Sequence, residues 1–205
     1  ITLCIRPLVI VFVISAFLYV LIEQSIMSWL PTFNSRMLHL SPSLSIQMAR
    51  ILAASTAVGR FTAGIVLRRF DWFAVLATSL VFAAVLVLVS LPLASTVSVE
   101  QVSRWSQAPL AAFVFPLIGV CLAPIYPAIN SVILSALPTR QHASMAGLIV
   151  VFSALGGTSG SLITGSLFEV FGGTTAFYFS LVPISGLLIS LYFLKRRSAA
   201  PAETA

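Results

Sequence analysis

Six long apolar stretches, at about 7–30, 47–67, 72–93, 110–137, 143–168 and 174–194, leave little room in this chain for anything else. Each approaches or exceeds the ~20 residues that a helix needs to cross a ~30 Å hydrocarbon core, whereas barrel strands need about half that length. The pattern predicts an all-α membrane protein. Hydrophobic residues make up 59% of the chain and charged residues 8%, against the ~25% charged residues that a soluble domain carries. Lipid is the expected solvent for most of this surface.

The basic residues sort by side. With the N-terminus inside, the cytoplasmic segments carry Arg6, Arg68, Arg69, Arg140, Lys195, Arg196 and Arg197, while the other side carries Arg36 and Arg104, with Arg50 near that end of the second span. Short-loop Lys and Arg concentrate on the cytoplasmic side, so both termini are expected there, in a plasma (bacterial inner) membrane. The net charge of +6 then reports topology, and no nucleic-acid motif accompanies it. Cys4 and Cys121 lie in different segments, so neither a disulfide nor a metal site is expected, and no cofactor motif is present. The chain opens at Ile1 without a cleavable signal, which reads as a piece of a longer polypeptide.

Residues 1–197 form one bundle in this reading, and 198–205 form a disordered cytoplasmic tail. The loops are short. Ser41-Pro42-Ser43 is a candidate helix start in the outer connection 32–46, Arg68-Arg69-Phe70-Asp71 is a tight inner turn, and 94–109 is the longest outer loop, with Glu100 and Trp105 as a candidate interfacial anchor. Turns are also expected at 138–142 inside and 169–173 outside. Three spans, a longer loop and three more divide as two inverted three-helix units.

Small residues cluster in two spans. Ala49, Ala53 and Ala57 recur every four residues in the second, followed by Gly59 and Gly64, and the fifth holds Gly147, Gly156, Gly157, Gly160 and Gly165. Such stripes let helix backbones approach, either as static packing or as smooth faces that slide. Pro116, Pro124 and Pro127 punctuate the fourth span. Each removes a helical hydrogen bond, so a kinked helix bordered by protein or water is expected.

The chemistry is sought in the few polar residues inside the spans. Glu23 is the one acidic residue well within a span, and a charge there costs several kcal/mol. Its place is expected about two-thirds of the way towards the outer face, with Gln24 beside it and Tyr19 one turn earlier. Glu23 could accept substrate hydroxyls, counter a cation or carry a coupling proton, or it could form a structural ion pair with Arg60 or Arg50. Arg60 is read as buried by position. Tyr126 and Asn130, one turn apart, can point into the same space, and the amide suits a neutral hydroxyl-rich ligand; an interhelical hydrogen bond is the alternative for Asn130. Ser25, Ser28 and Trp29 fill the outer end of the first span, Trp29 as an interfacial belt residue.

Gly157-Thr158-Ser159-Gly160 resembles the serine motif of rhomboid-type intramembrane proteases. That chemistry needs a histidine base near the serine, and His39 and His142 both fall in loops. An enzyme is not expected.

The run Gly59-Arg60-Phe61-Thr62-Ala63-Gly64-Ile65-Val66-Leu67-Arg68-Arg69-Phe70 resembles the signature at the end of the eighth helix of major facilitator superfamily transporters, roughly G-R-x-x-x-G-x-x-x-D-R-x-G. Gly59, Arg60, Gly64 and Arg69 match, and Arg68 stands where an acidic residue is usual. The stretch Tyr19–Leu30, with Glu23, Ser25, Ile26, Ser28, Trp29 and Leu30, and Ala123-Pro124-Ile125-Tyr126-Pro127 are similar to the fucose–galactose–proton symporter group.

The resemblance implies the C-terminal six-helix half of a twelve-helix transporter working by alternating access. Its substrate wall would be Tyr19, Glu23, Gln24, Tyr126 and Asn130, with Glu23 and Arg60 as ion pair or coupling residues. Gly59, Gly64, Arg68, Arg69 and Asp71 would form the gating loop. The implied partners are a small polar solute, a sugar foremost, together with protons, the lipid bilayer and the missing N-terminal half, where the main proton carrier lies in the resembled symporters. An organic-anion carrier and a non-transporting membrane scaffold are the alternatives.

Overall fold

A computed structural model describes residues 7–95 and 101–198. Cys4, Arg6, Glu100 and the expected tail beyond Ser198 lie outside the described residues. The architecture is all-helical: α1 (Pro7–Met37), α2 (Pro42–Val66), α3 (Trp72–Ser95), α4 (Leu110–Leu122), α5 (Ile125–Ala136), α6 (His142–Phe171), α7 (Gly173–Tyr178) and α8 (Leu181–Ser198), with single 3₁₀ turns at Trp105–Gln107 and Thr139–Gln141. A helix satisfies every backbone polar group internally, which is the condition for crossing lipid.

Among the described residues five helical segments are long and apolar enough to cross a membrane, with α4–α5 and α7–α8 each counting as one. The sixth expected span, α2, has the length but carries Gln47, Arg50 and Arg60 and falls short in apolarity.

Helix α1 runs seven residues beyond its expected end, straight through Pro31. Burial of Leu30, Phe33 and Asn34 continues the inward face past the proline, so packing overrides the local preference. The connection expected over 32–46 therefore shrinks to 38–41. Ser41 accepts a hydrogen bond from the Leu44 amide at 3.4 Å, with Pro42 in the first helical turn, the position where a missing N–H costs nothing. Likewise α6 extends through Glu169 to Phe171, and the expected turn 169–173 is carried by Gly172 alone. Its φ of 82° is a conformation glycine adopts without strain, and its N–H returns to the Phe168 carbonyl.

The fourth span carries the expected interruption, with Ala123 and Pro124 keeping right-handed helical torsions across it. Pro124 cannot donate to the Val120 carbonyl and Pro127 cannot donate to that of Ala123, and α4 gives way to α5 at Ala123-Pro124. The sixth span, expected as one helix, is also divided, at Phe179-Ser180. Pro183 lacks the N–H that would serve the Phe179 carbonyl; the amide of Val182 takes it instead, at 3.0 Å.

Helix α1 is the hub, lying against α2, α5, α6, α7 and α8, while α3 packs on α4, α7 and α8. At one end Phe33, Phe115 and Phe177 bring α1, α4 and α7 together, with ring centroids 4.5–5.4 Å apart. Near the other end Ser15 and Ser190 are 2.8 Å apart and both bond the Val11 carbonyl, clipping α8 to α1. The loop after α3 is stitched to the α1–α2 connection. Val102 donates to His39 and accepts from Ser41, and the Trp105 indole donates to Gln47 at 3.0 Å, so this tryptophan also ties the loop to α2. Apolar side chains such as Phe82, Val85 and Leu88 on α3 and Val150, Val151 and Leu162 on α6 point outward, as lipid contact requires.

The glycines of α6 pack backbone to backbone. A Cβ on Gly156 would lie 2.4 Å from the Phe17 carbonyl oxygen, one on Gly160 2.3 Å from that of Leu21, and one on Gly165 2.4 Å from the Trp29 ring. Trp29 is accordingly a packing residue, not a belt residue. Its indole donates to the Ser161 carbonyl at 2.9 Å and its ring stacks on Phe168. On α2 the expected alanine stripe is not the packed face: Ala53 and Ala57 are exposed, and Leu44, Met48, Leu52, Thr56, Gly59 and Ala63 turn inward. A single step of three, from Thr56 to Gly59, among steps of four keeps these residues on one side of a 3.6-residue helix, and the alanines fall on another.

Candidate functional site

Glu23 sits midway along α1, not two-thirds along, because the helix continues to Met37. Its Oε1 accepts from the Tyr19 hydroxyl at 2.9 Å and from the Arg60 guanidinium at 3.1 Å. Tyr19 reaches it from one turn below, as the i,i+4 spacing dictates. Arg60 comes from α2, which runs antiparallel to α1. The expectation that Arg60 is buried is corrected: its side chain is 51% exposed, whereas that of Glu23 is only 14% exposed. Arg60 stands on the outward side of α2 between exposed Val58 and Phe61. Its guanidinium reaches back to the carboxylate at 3.1 Å. Arg50 is exposed and takes no part.

Two further helices join. The Tyr19 ring stacks on Tyr126 of α5, centroids 5.4 Å apart and planes 24° from parallel. The Tyr126 hydroxyl lies 3.0 Å from that of Ser153 on α6. Five side chains from α1, α2, α5 and α6 are thus linked in a chain: the hydrogen-bonded groups Arg60–Glu23–Tyr19 and Tyr126–Ser153, joined by the stacked rings of the two tyrosines. Ser153 is a member that sequence reasoning missed. A serine within a helix carries no signal until the tyrosine across from it is placed. Beneath Glu23 a crevice of about 10 Å³ is lined by Met27, Thr56, Leu52 and Gly119, the smallest space that holds one water.

The other expected wall residues are placed less directly. Gln24 is half-buried with its side chain against Gly157 of α6. Asn130 is half-buried, its Oδ1 without a hydrogen-bond partner, and no bond links it to the chain from Arg60 to Ser153. Among the described residues no group of three His, Cys, Asp or Glu converges on a point that a metal could occupy. His142 bonds the Leu137 carbonyl in its own turn at 3.0 Å, and Thr158 bonds back to Ala154.

The expected gating segment divides into packed and open parts. Gly59 is buried, and a Cβ there would lie 2.6 Å from Ala123 Cβ and 2.8 Å from the Val120 oxygen. Gly64 has nothing within 4 Å. Arg68 and Arg69 are exposed in the turn. Asp71 caps α3 through the Ala74 amide at 3.2 Å and pairs with Lys195 of α8 at 3.1 Å; the ammonium beside it holds its carboxyl below the usual aspartate range. Lys195 also lies over the Phe73 ring.

No curated protein matches the chain in sequence. Among solved structures, a variant of the fucose:proton symporter FucP of E. coli has a similar fold, with a TM-score of 0.76 and 18% sequence identity. That likeness covers 94% of this chain and 44% of the symporter, so the chain spans less than half the length of the protein it resembles. At this identity the likeness speaks to fold. The family model of the Major Facilitator Superfamily matches residues 2–160, most of the chain, and with the apolar helices this establishes an integral membrane protein belonging to that superfamily of transporters.

Proposed function

We propose that this chain forms the C-terminal half of a proton-coupled secondary transporter for a small polar solute, a sugar foremost, working by alternating access. The supporting observation is the largely buried carboxylate of Glu23 midway along α1, held by buried Tyr19 and by Arg60 from the open side. A charge at that depth is expensive and characteristically borders a solute or ion path. The hydroxyls of Tyr126 and Ser153 extend the same surface with groups that both donate and accept, which suits a ligand rich in hydroxyls. Gln24 and Asn130 complete the proposed wall. The two inverted three-helix units, the cytoplasmic placement of the basic end and the N-terminal half that would close the cavity belong to the same proposal, as does the gating role of Gly59, Gly64, Arg68, Arg69 and Asp71.

The test is uptake into proteoliposomes by the full-length protein under an imposed pH gradient. Glu23→Gln should abolish gradient-driven accumulation of sugar while leaving the protein folded. Unchanged accumulation would remove Glu23 from the mechanism. The half-exposed guanidinium of Arg60 keeps an organic-anion carrier as a second reading, for which Arg60→Ala would selectively impair uptake of carboxylates. Its engagement with Glu23 weighs against that, because the pair presents little net charge. A scaffold without transport would gain no thermal stability from any solute, whereas a ligand at 100 times its Kd adds about 2.7 kcal/mol.

A further inference from the structure

A second cleft lies away from the residues around Glu23, at the basic end of the bundle. It has a volume of about 450 Å³ and opens where α2 ends, α3 begins, and α5 and α8 finish. Leu67, Trp72 and Val132 supply apolar walls, and Ser131, Ser135 and Ser198 supply hydroxyls. Ser131 and Ser135 stand one turn apart on α5, both exposed, and neither hydroxyl has a hydrogen-bond partner among the described residues.

The charge around this cleft is strongly one-sided. Arg68 and Arg69 directly follow Leu67, Lys195-Arg196-Arg197 directly precede Ser198, and Arg140 lies four residues beyond Ala136 of the cleft wall. Among the described residues Asp71 is the one carboxylate at this end, and Lys195 already holds it. Arg68, Arg69, Arg140 and Arg197 therefore have no acidic partner there. Arg196 lies over the Tyr192 ring.

We propose that this cleft seats the headgroup of an anionic phospholipid. A phosphate diester accepts hydrogen bonds from serine hydroxyls and guanidinium groups alike. The site lies where the helices end and Trp72 sits, at the depth of the headgroups, so one end of the ligand is polar and the other is hydrocarbon. Basic pockets between spanning helices on the cytoplasmic side have the chemistry for such lipids. The apolar walls distinguish this seat from a site for free phosphate, which would gain nothing from Leu67 and Val132.

The experiment uses the purified, delipidated full-length protein, offered phosphatidylglycerol, phosphatidylcholine or inorganic phosphate, with retained lipid counted by native mass spectrometry. Phosphatidylglycerol should be retained in preference to phosphatidylcholine, and millimolar inorganic phosphate should not displace it. Replacing Arg68→Gln and Arg69→Gln should lower retention by roughly fivefold for each cation removed. Ser135→Trp, at an exposed position, keeps every charge but fills the cleft, and should abolish the preference; Ser131→Ala with Ser135→Ala should weaken it without adding bulk. Unaltered preference in Ser135→Trp would show diffuse surface attraction and overturn the proposal. So would displacement of the lipid by inorganic phosphate, or equal retention of the two lipids by the unmodified protein.

Discussion

The α1–α6 interface and the outward face of α2 are built on opposite principles. Along the first, Gly156 and Gly160 bring two backbones so close that a single methyl group would collide with a carbonyl oxygen. Along the second, Gly64 has open space around it, and Val58, Arg60, Phe61 and Ile65 are exposed. The chain from Arg60 to Ser153 runs from one region to the other. Ser153 is anchored one turn before the packed glycines, while Arg60 swings in from the open side. The close interface supplies a frame, and the open face supplies the half-exposed guanidinium that reaches in to Glu23. The frame reads as static packing, because carbonyl oxygens seated against glycines leave no smooth surface on which to slide.

The largest effect should come from breaking the frame. Gly160→Leu forces four carbon atoms into a contact that already excludes one, at a cost of about 3 kcal/mol or more; the full-length protein should fail to give a monodisperse peak on size-exclusion chromatography. Asp71→Asn is milder, removing an exposed ion pair worth a few tenths of a kcal/mol while the amide oxygen still caps the helix. Because Lys195 holds the Asp71 carboxyl below its ordinary 3.8, its contribution is complete above that pH and is lost as the pH falls through the lowered value. Denaturant midpoints of the variant and the parent should differ at pH 7 and converge well below pH 3.8. Trp29→Phe keeps the ring over Gly165 but deletes the hydrogen bond to Ser161, a loss near 0.6 kcal/mol visible as a small drop in Tm.

Gly64→Ala should be opposite in sign to all of these, since alanine in an exposed helix gains up to about 1 kcal/mol over glycine. Destabilisation there would mean that a surface outside this chain lies against Gly64, and would sharpen the contrast into an interface.

Much of this was legible in the residues because the constraint was strong. Twenty apolar residues have few options, and Pro124 with Pro127 announced a damaged helix. Glu23 stood out through the cost of its charge, and its link to Tyr19 followed from helical spacing alone. What stayed hidden depended on partners across the bundle. A tryptophan at a span end looks interfacial until Gly165 is found beneath its ring. Arg60 looks buried from its place in the sequence, because a single helix does not disclose which of its sides faces the bundle. Ser153 is silent until Tyr126 is opposite it, and the division at Phe179-Ser180 turns on which amide replaces the one that Pro183 lacks.

The seam between α4 and α5 carries a consequence for descent. Gly59 nests against Val120 and Ala123, the two residues whose carbonyls the prolines abandon, so the missing side chain and the missing amide protons answer each other across helices. In homologous chains the two should be inherited as a unit: where position 124 reverts to an ordinary residue and the rod straightens, selection for glycine at 59 should relax with it.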